Sequence, residues 1–389
     1  MQRVYAVHGF NNYWEASQTA ASRQQISRNY LRQGRVTRKA MSSLAHLTRS
    51  LEAEAKSVVP PELLKLLTTA QRVWVVPHER PDADALGAAL ALQLILAGRG
   101  VEVAVVSADL PSQVYDVIPT IGRVVTEPPA WAPDAVVLVD CADPRRAGRI
   151  GVLIDALPAT TPRALIDHHV SNNATWPISW IDASAAATCE LVTLLAVALG
   201  TELEKVDGLP ATLAAGLIMD TATFQHGNTT PRTLEVGALL LAAGAPISEI
   251  SRRIYRTKPL SQLQLHAAVL SSIATSDEGS TIYAVMSERD LTSVHASVED
   301  SEGIVDVLAQ AAASDVALFF KEESPTATRL SVRTKGDAPD ATAIVAAFGG
   351  GGHARAAGAT VAASLPDATA LVLTEVARLR RNGTTRRAE

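Results

Sequence analysis

Aspartate and histidine side chains gather in four short clusters: His78-Glu79-Arg80-Pro81-Asp82-Ala83-Asp84, then Asp140, then Asp167-His168-His169, then Asp220. Carboxylate and neutral imidazole groups are ligands for Mn²⁺, Mg²⁺ or Zn²⁺. A set rich in carboxylates leans towards Mn²⁺ or Mg²⁺. One or two such ions activate water and offset the charge that develops when a phosphate ester is attacked. Hydrolysis of a phosphate ester is the chemistry these residue types suggest.

The individual signals differ in sharpness. Asp140 ends the run Val136-Val137-Leu138-Val139. A charge in that position is costly unless it is paired or coordinated, and its two oxygens could bridge two metal ions. Asp220 follows Ile218-Met219 and has the same look. In Asp167-His168-His169, one imidazole can bind metal while the other faces a phosphate; the bland reading is a surface pair beside a capping Asp. His78, Asp82 and Asp84 share one loop, where an Asp near Pro is commonly a turn or cap residue. Asp143 and Asp182 sit in turn-like contexts and are left outside the set. Cys141 reads as a buried thiol at a strand end rather than a nucleophile.

Two further segments could hold phosphate. Gly349-Gly350-Gly351-Gly352-His353 reads either as a flexible linker or as a close backbone approach to phosphate with free N–H groups. The ordered-looking flanks, Ile344–Phe348 and Ala354–Gly358, favour the second. Arg333 and Lys335 close an alternating segment and could grip a phosphate, or simply face solvent.

These residues need elements to position them. Val73–Val76, Val101–Ser107, Asp134–Asp140 and Arg163–Asp167 read as strands, with a helix after the His78–Asp84 loop. Apolar strands without alternation, separated by helices, predict a parallel sheet covered on both faces. In such sheets ligands sit at the carboxyl ends of strands, where His78, Asp140 and Asp167 fall. Helices are expected over Ala183–Leu199 and Leu209–Met219, and another starts at Thr230-Pro231, with Thr as N-cap. Residues 246–272 read as a helical connector. A second, smaller α/β domain follows, with strands Thr281–Met286, Asp315–Lys321 and Thr328–Arg333. Its helices are Asp300–Ala312, Asp340–Phe348 and Asp367–Arg381. The resulting division is an extension over 1–59, a main domain over 60–245 that carries the clusters, the connector, and a second domain over 273–385.

The chain has 389 residues, 47% of them hydrophobic, with only 4% aromatic, so its cores are built of Ala, Val, Leu and Ile. Residues 1–59 carry nine Lys or Arg and three Asp or Glu, a balance of +6 against a net −5 for the whole chain; the remainder therefore carries −11. An acidic body suits metal ligands better than a nucleic-acid clamp. The first 59 residues read as a polar, basic and partly disordered extension, or as an arm that touches nucleic acid. Within it Met41–Lys56 could be helical, because Leu44, Leu47 and Leu51 share a face. Two cysteines are too few for a disulfide framework, which agrees with a reducing cytoplasm. No apolar run reaches the roughly 18 residues of a spanning helix, and the first 30 residues lack the apolar centre of a secretory signal. The expectation is a cytoplasmic protein without a membrane partner.

Taken together, the clusters resemble the motifs of the DHH phosphoesterase superfamily, in the branch with a DHHA1 domain. The first motif is similar to His78–Asp84, the second to the Asp140 strand end, the third to Asp167-His168-His169 and the fourth to Asp220-Thr221-Ala222. The DHHA1 signature is similar to Gly350-Gly351-Gly352-His353 through Ala356-Ala357-Gly358. The resemblance covers about residues 63–380. Length and domain order look like the stand-alone group of nanoRNases (oligoribonucleases) and pAp phosphatases, with cyclic-dinucleotide phosphodiesterases as relatives. Family II pyrophosphatases lack the glycine-histidine signature, and RecJ-type exonucleases carry extra modules not found here. Ala83 and Ala222 stand where the family often has Gly, and Gln225 stands where it often has Arg.

The resemblance implies two divalent ions, Mn²⁺ first, with Mg²⁺ or Co²⁺ as substitutes. One would be held by His78, Asp82 and Asp140, and the other by Asp84, Asp140, His168 and Asp220. Asp167 would orient a neighbouring histidine, and His169 would contact the scissile phosphate or protonate the leaving oxygen. Arg333, His353 and the backbone of Gly350, Gly351 and Gly352 would grip the rest of the nucleotide. Substrates would be RNAs of about two to five nucleotides and 3′-phosphoadenosine 5′-phosphate (pAp), and a homodimer fits the family. A phosphodiesterase for cyclic di-AMP or its linear product is the rival enzyme. A nucleotide-binding sensor without turnover is the rival of another class.

Overall fold

Val73, Val75, Val76 and the whole run Val136–Val139 are shut off from solvent, so these strands need cover on both faces. The computed structural model supplies it; it describes residues 38–386 except 142, 171 and 173–175. Six strands form one parallel sheet: β1 (Arg72–Val76), β2 (Glu102–Val106), β3 (Val124–Val125), β4 (Ala135–Val139), β5 (Arg163–Asp167) and β6 (Ile178–Ile181). Their order is β3-β2-β1-β4-β5-β6. The chain turns from one half of the sheet to the other between β1 and β4, which opens a crevice at their carboxyl ends.

One face of this sheet carries most of the helices. They are α1 (Arg38–Val58), α2 (Pro61–Thr69) and α3 (Ala83–Ala97), followed, past α4 (Arg149–Asp155), by α5 (Thr188–Ala198), α6 (Leu209–Thr221), α7 (Pro231–Ala242) and α8 (Ile247–Arg256). Their buried residues make a single apolar core with Val73, Val75, Val137 and Ile166. The other face is covered more thinly, by Ile150 and Ile154 of α4 over Trp74, Val76, Val136 and Leu138. Helix α3 is apolar all round and buried nearly all round, as a central helix must be. A Cβ on Gly216 of α6 would collide with the Asp84 carboxylate and the Cys189 sulfur. That glycine lets α6 lie directly against the base of the site.

The chain divides after Thr257 into two units. The second contains α9 (Leu260–Leu270), β7 (Ala274–Ser276), β8 (Thr281–Met286), α10 (Glu288–Ser293), α11 (Ile304–Leu308), β9 (Val316–Ser324), β10 (Ala327–Thr334), α12 (Ala341–Ala346), β11 (Gly351–His353), β12 (Ala356–Val361) and α13 (Leu365–Arg386). Its sheet has the order β11-β12-β10-β9-β8-β7, with β8 and β9 the parallel pair. Leu330 and Val332 of β10 face one core with α12 and α13; Ala317 and Phe319 of β9 face another with α9 and α11.

Several boundaries differ from the sequence expectation. From Arg38 onward the basic extension is a helix whose Leu44, Leu51 and Ala55 enter the main core, so it belongs to the first unit; residues 1–37 lie outside the described residues. The expected connector is divided, α8 packing into the first unit and α9 into the second. The helix expected from Ala183 starts only at Thr188. The helix expected over Asp300–Ala312 is a short 3₁₀ turn and α11, interrupted by Gly303 at φ 85°. The glycine run is not a linker. Gly351–His353 pairs with β12, and Gly350 and Gly352 approach that strand so closely that a Cβ would strike its backbone. Among the described residues no single helix is long and apolar enough to cross a membrane.

Candidate metal centre

The carboxyl ends of β1, β4 and β5 deliver His78, Asp140 and Asp167, and the ends of α3 and α6 deliver Asp82, Asp84 and Asp220. Among the described residues, three sets of side chains place possible ligand atoms within 4.8 Å of one another: His78, Asp82 and Asp140; Asp84, His168 and Asp220; and Asp140, His168 and His169. Asp140 joins the first set to the third, and His168 the third to the second. All eight residues that the sequence singles out for metal binding or catalysis therefore meet in one place, Asp167 through its bond to His169.

Local chemistry explains each placement. His78 donates from Nδ1 to the Glu79 carbonyl at 2.7 Å, which leaves Nε2 facing Asp140 Oδ2 at 3.5 Å. Asp82 is also the N-cap of α3, accepting the Asp84 and Ala85 N–H groups on Oδ1; the cap and ligand readings are thus compatible. Asp140 adopts φ 53°, in the left-handed region, immediately after β4. Such strain in a non-glycine residue is tolerated where the surroundings over-determine it. Asp167 is fully buried and takes His169 Nδ1–H at 2.7 Å, the His168 N–H at 2.8 Å and Asn172 Nδ2 at 2.5 Å. With Nδ1–H so engaged, Nε2 is the remaining ring nitrogen of His169. His168 Nε2 lies 3.1 Å from Asp220 Oδ2 and 3.5 Å from Asp140 Oδ1.

Electrostatics reflect this crowding. Burial, with the neighbouring Asp220 and Asp140 charges, pushes the Asp84 carboxyl well above its ordinary range. Burial also lifts Asp220 to about 6, although His168 pulls the other way. Burial opposes charge on His168, yet its bond to Asp220 and the carboxylates of Asp84 and Asp140 hold its pKa at about 10. Asp140 is down at about 2, because His78, His168 and His169 outweigh its burial. Four carboxylates this close require positive charge between them. Divalent cations would supply it, and the donor set of four aspartates with histidine nitrogens fits them.

Other side chains support the centre without having been legible in the sequence. Tyr255 donates to the Met219 carbonyl at 2.7 Å, behind Asp220. His226 donates from Nδ1 to the Asp220 carbonyl at 2.9 Å and is otherwise exposed. Thr188 reaches both Asp84 and Asp140. Asp182, left out as a turn residue, binds Arg232, while the Asp143 carboxylate binds the local Arg145.

Arg333 and the glycine run belong to the second unit and are described within it. Arg333 and His353 stand in register on either side of Ala356. The Arg333 guanidinium is engaged by Asp306 at 2.8 Å. Lys335 caps α11 through the Ala309 and Ala311 carbonyls, so its phosphate-binding reading gives way to a structural one.

Comparison with known proteins agrees with the motif order. Residues 72–219 match the DHH family, N-terminal domain, and residues 278–378 match the DHHA1 domain. The bifunctional oligoribonuclease and PAP phosphatase NrnA of Thermus thermophilus is 31% identical over 291 residues, covering 74% of this chain and 84% of the relative. The Bacillus subtilis protein of the same name is 24% identical over 302 residues, covering 77% and 92%. Among solved structures, an exopolyphosphatase-related protein from Bacteroides fragilis shares the fold, with a TM-score of 0.76 at 20% identity over 83% of this chain and 96% of that one.

Proposed function

This chain belongs to the DHH phosphoesterase family, in the branch with a DHHA1 domain, and is a hydrolase of phosphate esters; from that premise we propose that it degrades short oligoribonucleotides to mononucleotides and converts pAp to AMP. The observation that carries the reading is that the ligand candidates His78, Asp82, Asp84, Asp140, His168 and Asp220 all fall in overlapping sets whose ligand atoms lie within 4.8 Å of one another. The relatives named for both activities match across both units. A sensor without turnover would not need every ligand in place.

The residues divide the work. His78, Asp82 and Asp140 would hold one cation, and Asp84, Asp140, His168 and Asp220 would hold the other, with Asp140 shared. The excess of carboxylate over imidazole suits Mn²⁺ or Mg²⁺, and the family resemblance puts Mn²⁺ first. Bound divalent ions lower the pKa of water and offset charge on the phosphate under attack. His169, held by Asp167 through Nδ1, presents Nε2 to the scissile phosphate or passes a proton to the leaving oxygen. In the second unit Arg333, His353 and the Gly350, Gly351 and Gly352 backbone are the candidates for nucleotide contact. A phosphate would have to compete with Asp306 for Arg333. Cys141 and Cys189 are free thiols, both buried, which supports a reducing, cytoplasmic setting.

The test is direct. Purified protein with Mn²⁺ should release GMP from pGpG and AMP from pAp, and EDTA should stop both. Protein that binds Mn²⁺ and leaves both substrates intact would overturn the proposal.

A further inference from the structure

The loop between β6 and α5 and the first turn of α5 contain no residue that the motifs mark as a ligand, yet three ligand candidates rest on them. The Ala185 carbonyl lies 3.3 Å from His168 Nδ1 and accepts its proton. The N–H groups of Thr188 and Cys189 donate to the two oxygens of Asp84, at 2.6 and 2.9 Å. The Thr188 hydroxyl donates to Asp140 Oδ1 at 3.0 Å. Thr188 is fully buried, so its hydroxyl has no bulk water as an alternative acceptor.

The loop is itself fixed from behind. Arg232 of α7 reaches Asp182 Oδ2 at 2.9 Å, Glu190 Oε1 at 2.5 Å and Glu54 Oε1 of α1 at 3.2 Å. Glu190, fully buried, returns to the loop by accepting the Ala186 N–H at 3.2 Å. Asn228 donates to the Ala186 carbonyl at 3.0 Å. Glu190 is fully buried, so losing its Arg232 partner would leave an uncompensated buried charge, which is costly.

We propose that Thr188 is a positioning residue of the metal centre, its hydroxyl orienting the Asp140 carboxylate, and that Arg232 holds the Asp182–Ala187 loop, and with it the start of α5, in the register this requires. The inference rests on the reading of the centre as a metal site. Its physical basis is rotation about the last side-chain torsion of Asp140. The Asp140 carboxylate presents one oxygen to each side: His78 Nε2 lies 3.5 Å from Oδ2 and His168 Nε2 lies 3.5 Å from Oδ1. A donor fixed on Oδ1 removes the rotational freedom that would otherwise be lost on binding. Donors that orient ligating groups in this way affect metal affinity about 10- to 100-fold.

The experiment compares Thr188→Val and Thr188→Ser with the wild-type full-length chain. Free Mn²⁺ is counted by electron paramagnetic resonance, and melting is followed in EDTA. Valine keeps the shape and the backbone donors to Asp84 but has no hydroxyl. It should weaken Mn²⁺ binding about 10- to 100-fold, while serine restores binding to within a few-fold. Saturating Mn²⁺ should recover most of kcat in Thr188→Val, which a purely structural defect would not allow. Arg232→Lys, which cannot span three carboxylates, should weaken Mn²⁺ binding in the same direction and serves if the valine variant does not fold. Mn²⁺ affinity unchanged in Thr188→Val, or in Arg232→Lys where that stands in, overturns the proposal. Failure of the functional reading shows separately, as a wild-type chain that takes up Mn²⁺ and hydrolyses neither pGpG nor pAp. The affinity comparison still decides the role of Thr188 in that case.

Discussion

His168 Nε2 and Asp220 Oδ2 lie 3.1 Å apart, tying the loop after β5 to the last turn of α6. Without a cation between them this contact is held by a proton. Burial lifts Asp220 from 3.8 to about 6, and His168 stands at about 10 against 6.5, its carboxylate partners overcoming burial. Both folded-state values are raised, so each group stabilises the fold below its unfolded pKa and loses that contribution as pH climbs through the folded one. The window is about pH 4 to 6 for Asp220 and about 6.5 to 10 for His168. Asp140, lowered from 3.8 to about 2, contributes fully above about pH 4 and does not offset them. Mn²⁺ competes with these protons. The rise in Tm on saturation with Mn²⁺ should therefore be larger near pH 8 than near pH 5.5, as differential scanning fluorimetry can read. Equal shifts at both pH values would contradict this electrostatic picture.

Replacing Asp140 removes the one carboxylate common to two of the ligand sets. Asp140→Ala should lower metal-dependent hydrolysis by at least about 10²-fold, the scale for losing one group that stabilises developing charge. Circular dichroism and a cooperative melt should persist, because the sheet core around β4 is untouched. An unchanged rate would remove Asp140 from the centre.

Ala222, Thr223 and Phe224 follow Asp220 in consecutive left-handed conformations, with φ of 46°, 61° and 64°. The resemblance placed Gly at the first of these positions, and the backbone supplies the reason: a Cβ there is strained. Ala222→Gly should stabilise the fold by up to about 1 kcal/mol, or about 2–4 °C in Tm for a unit of this size. A loss of stability would mean that the loop relies on the restricted alanine backbone.

Leu51 of α1 is 1% exposed, inside a stretch that composition marks as a polar extension. Leu51→Ala should cost about 2–5 kcal/mol, the range for truncating a buried leucine, measured by urea unfolding. A change below about 0.5 kcal/mol, as at an ordinary surface site, would show that α1 is peripheral.

The contrast between α1 and the metal ligands shows what a single sequence reveals. Asp140 and Asp167 were legible because a charge that ends an apolar strand demands a partner, and β4 and β5 are unmistakable apolar runs. The parallel sheet was legible for the same reason. The helix of α1 was legible in its Leu44, Leu47 and Leu51 face, but its burial was not, because the groups that bury Leu51 and pair with Glu54 come from α5 and α7, far along the chain. Thr188 was unreadable too: a threonine before an apolar helix looks like a helix start, and nothing local shows that its hydroxyl meets Asp140. The alanine run before it looked helical, but the Arg232 bracket holds it as a loop. Strand β11 was hidden because its glycines serve close contact with β12 rather than any side-chain pattern.

The measurement that bears most directly on function is product analysis of the Mn²⁺-loaded protein offered pGpG, pAp, cyclic di-AMP and a 24-mer RNA in parallel. Degradation of short oligoribonucleotides requires rapid release of GMP from pGpG and AMP from pAp, with the 24-mer spared. Cleavage of cyclic di-AMP at a rate equal to or above that of pGpG, or no hydrolysis of any of the four, would contradict it.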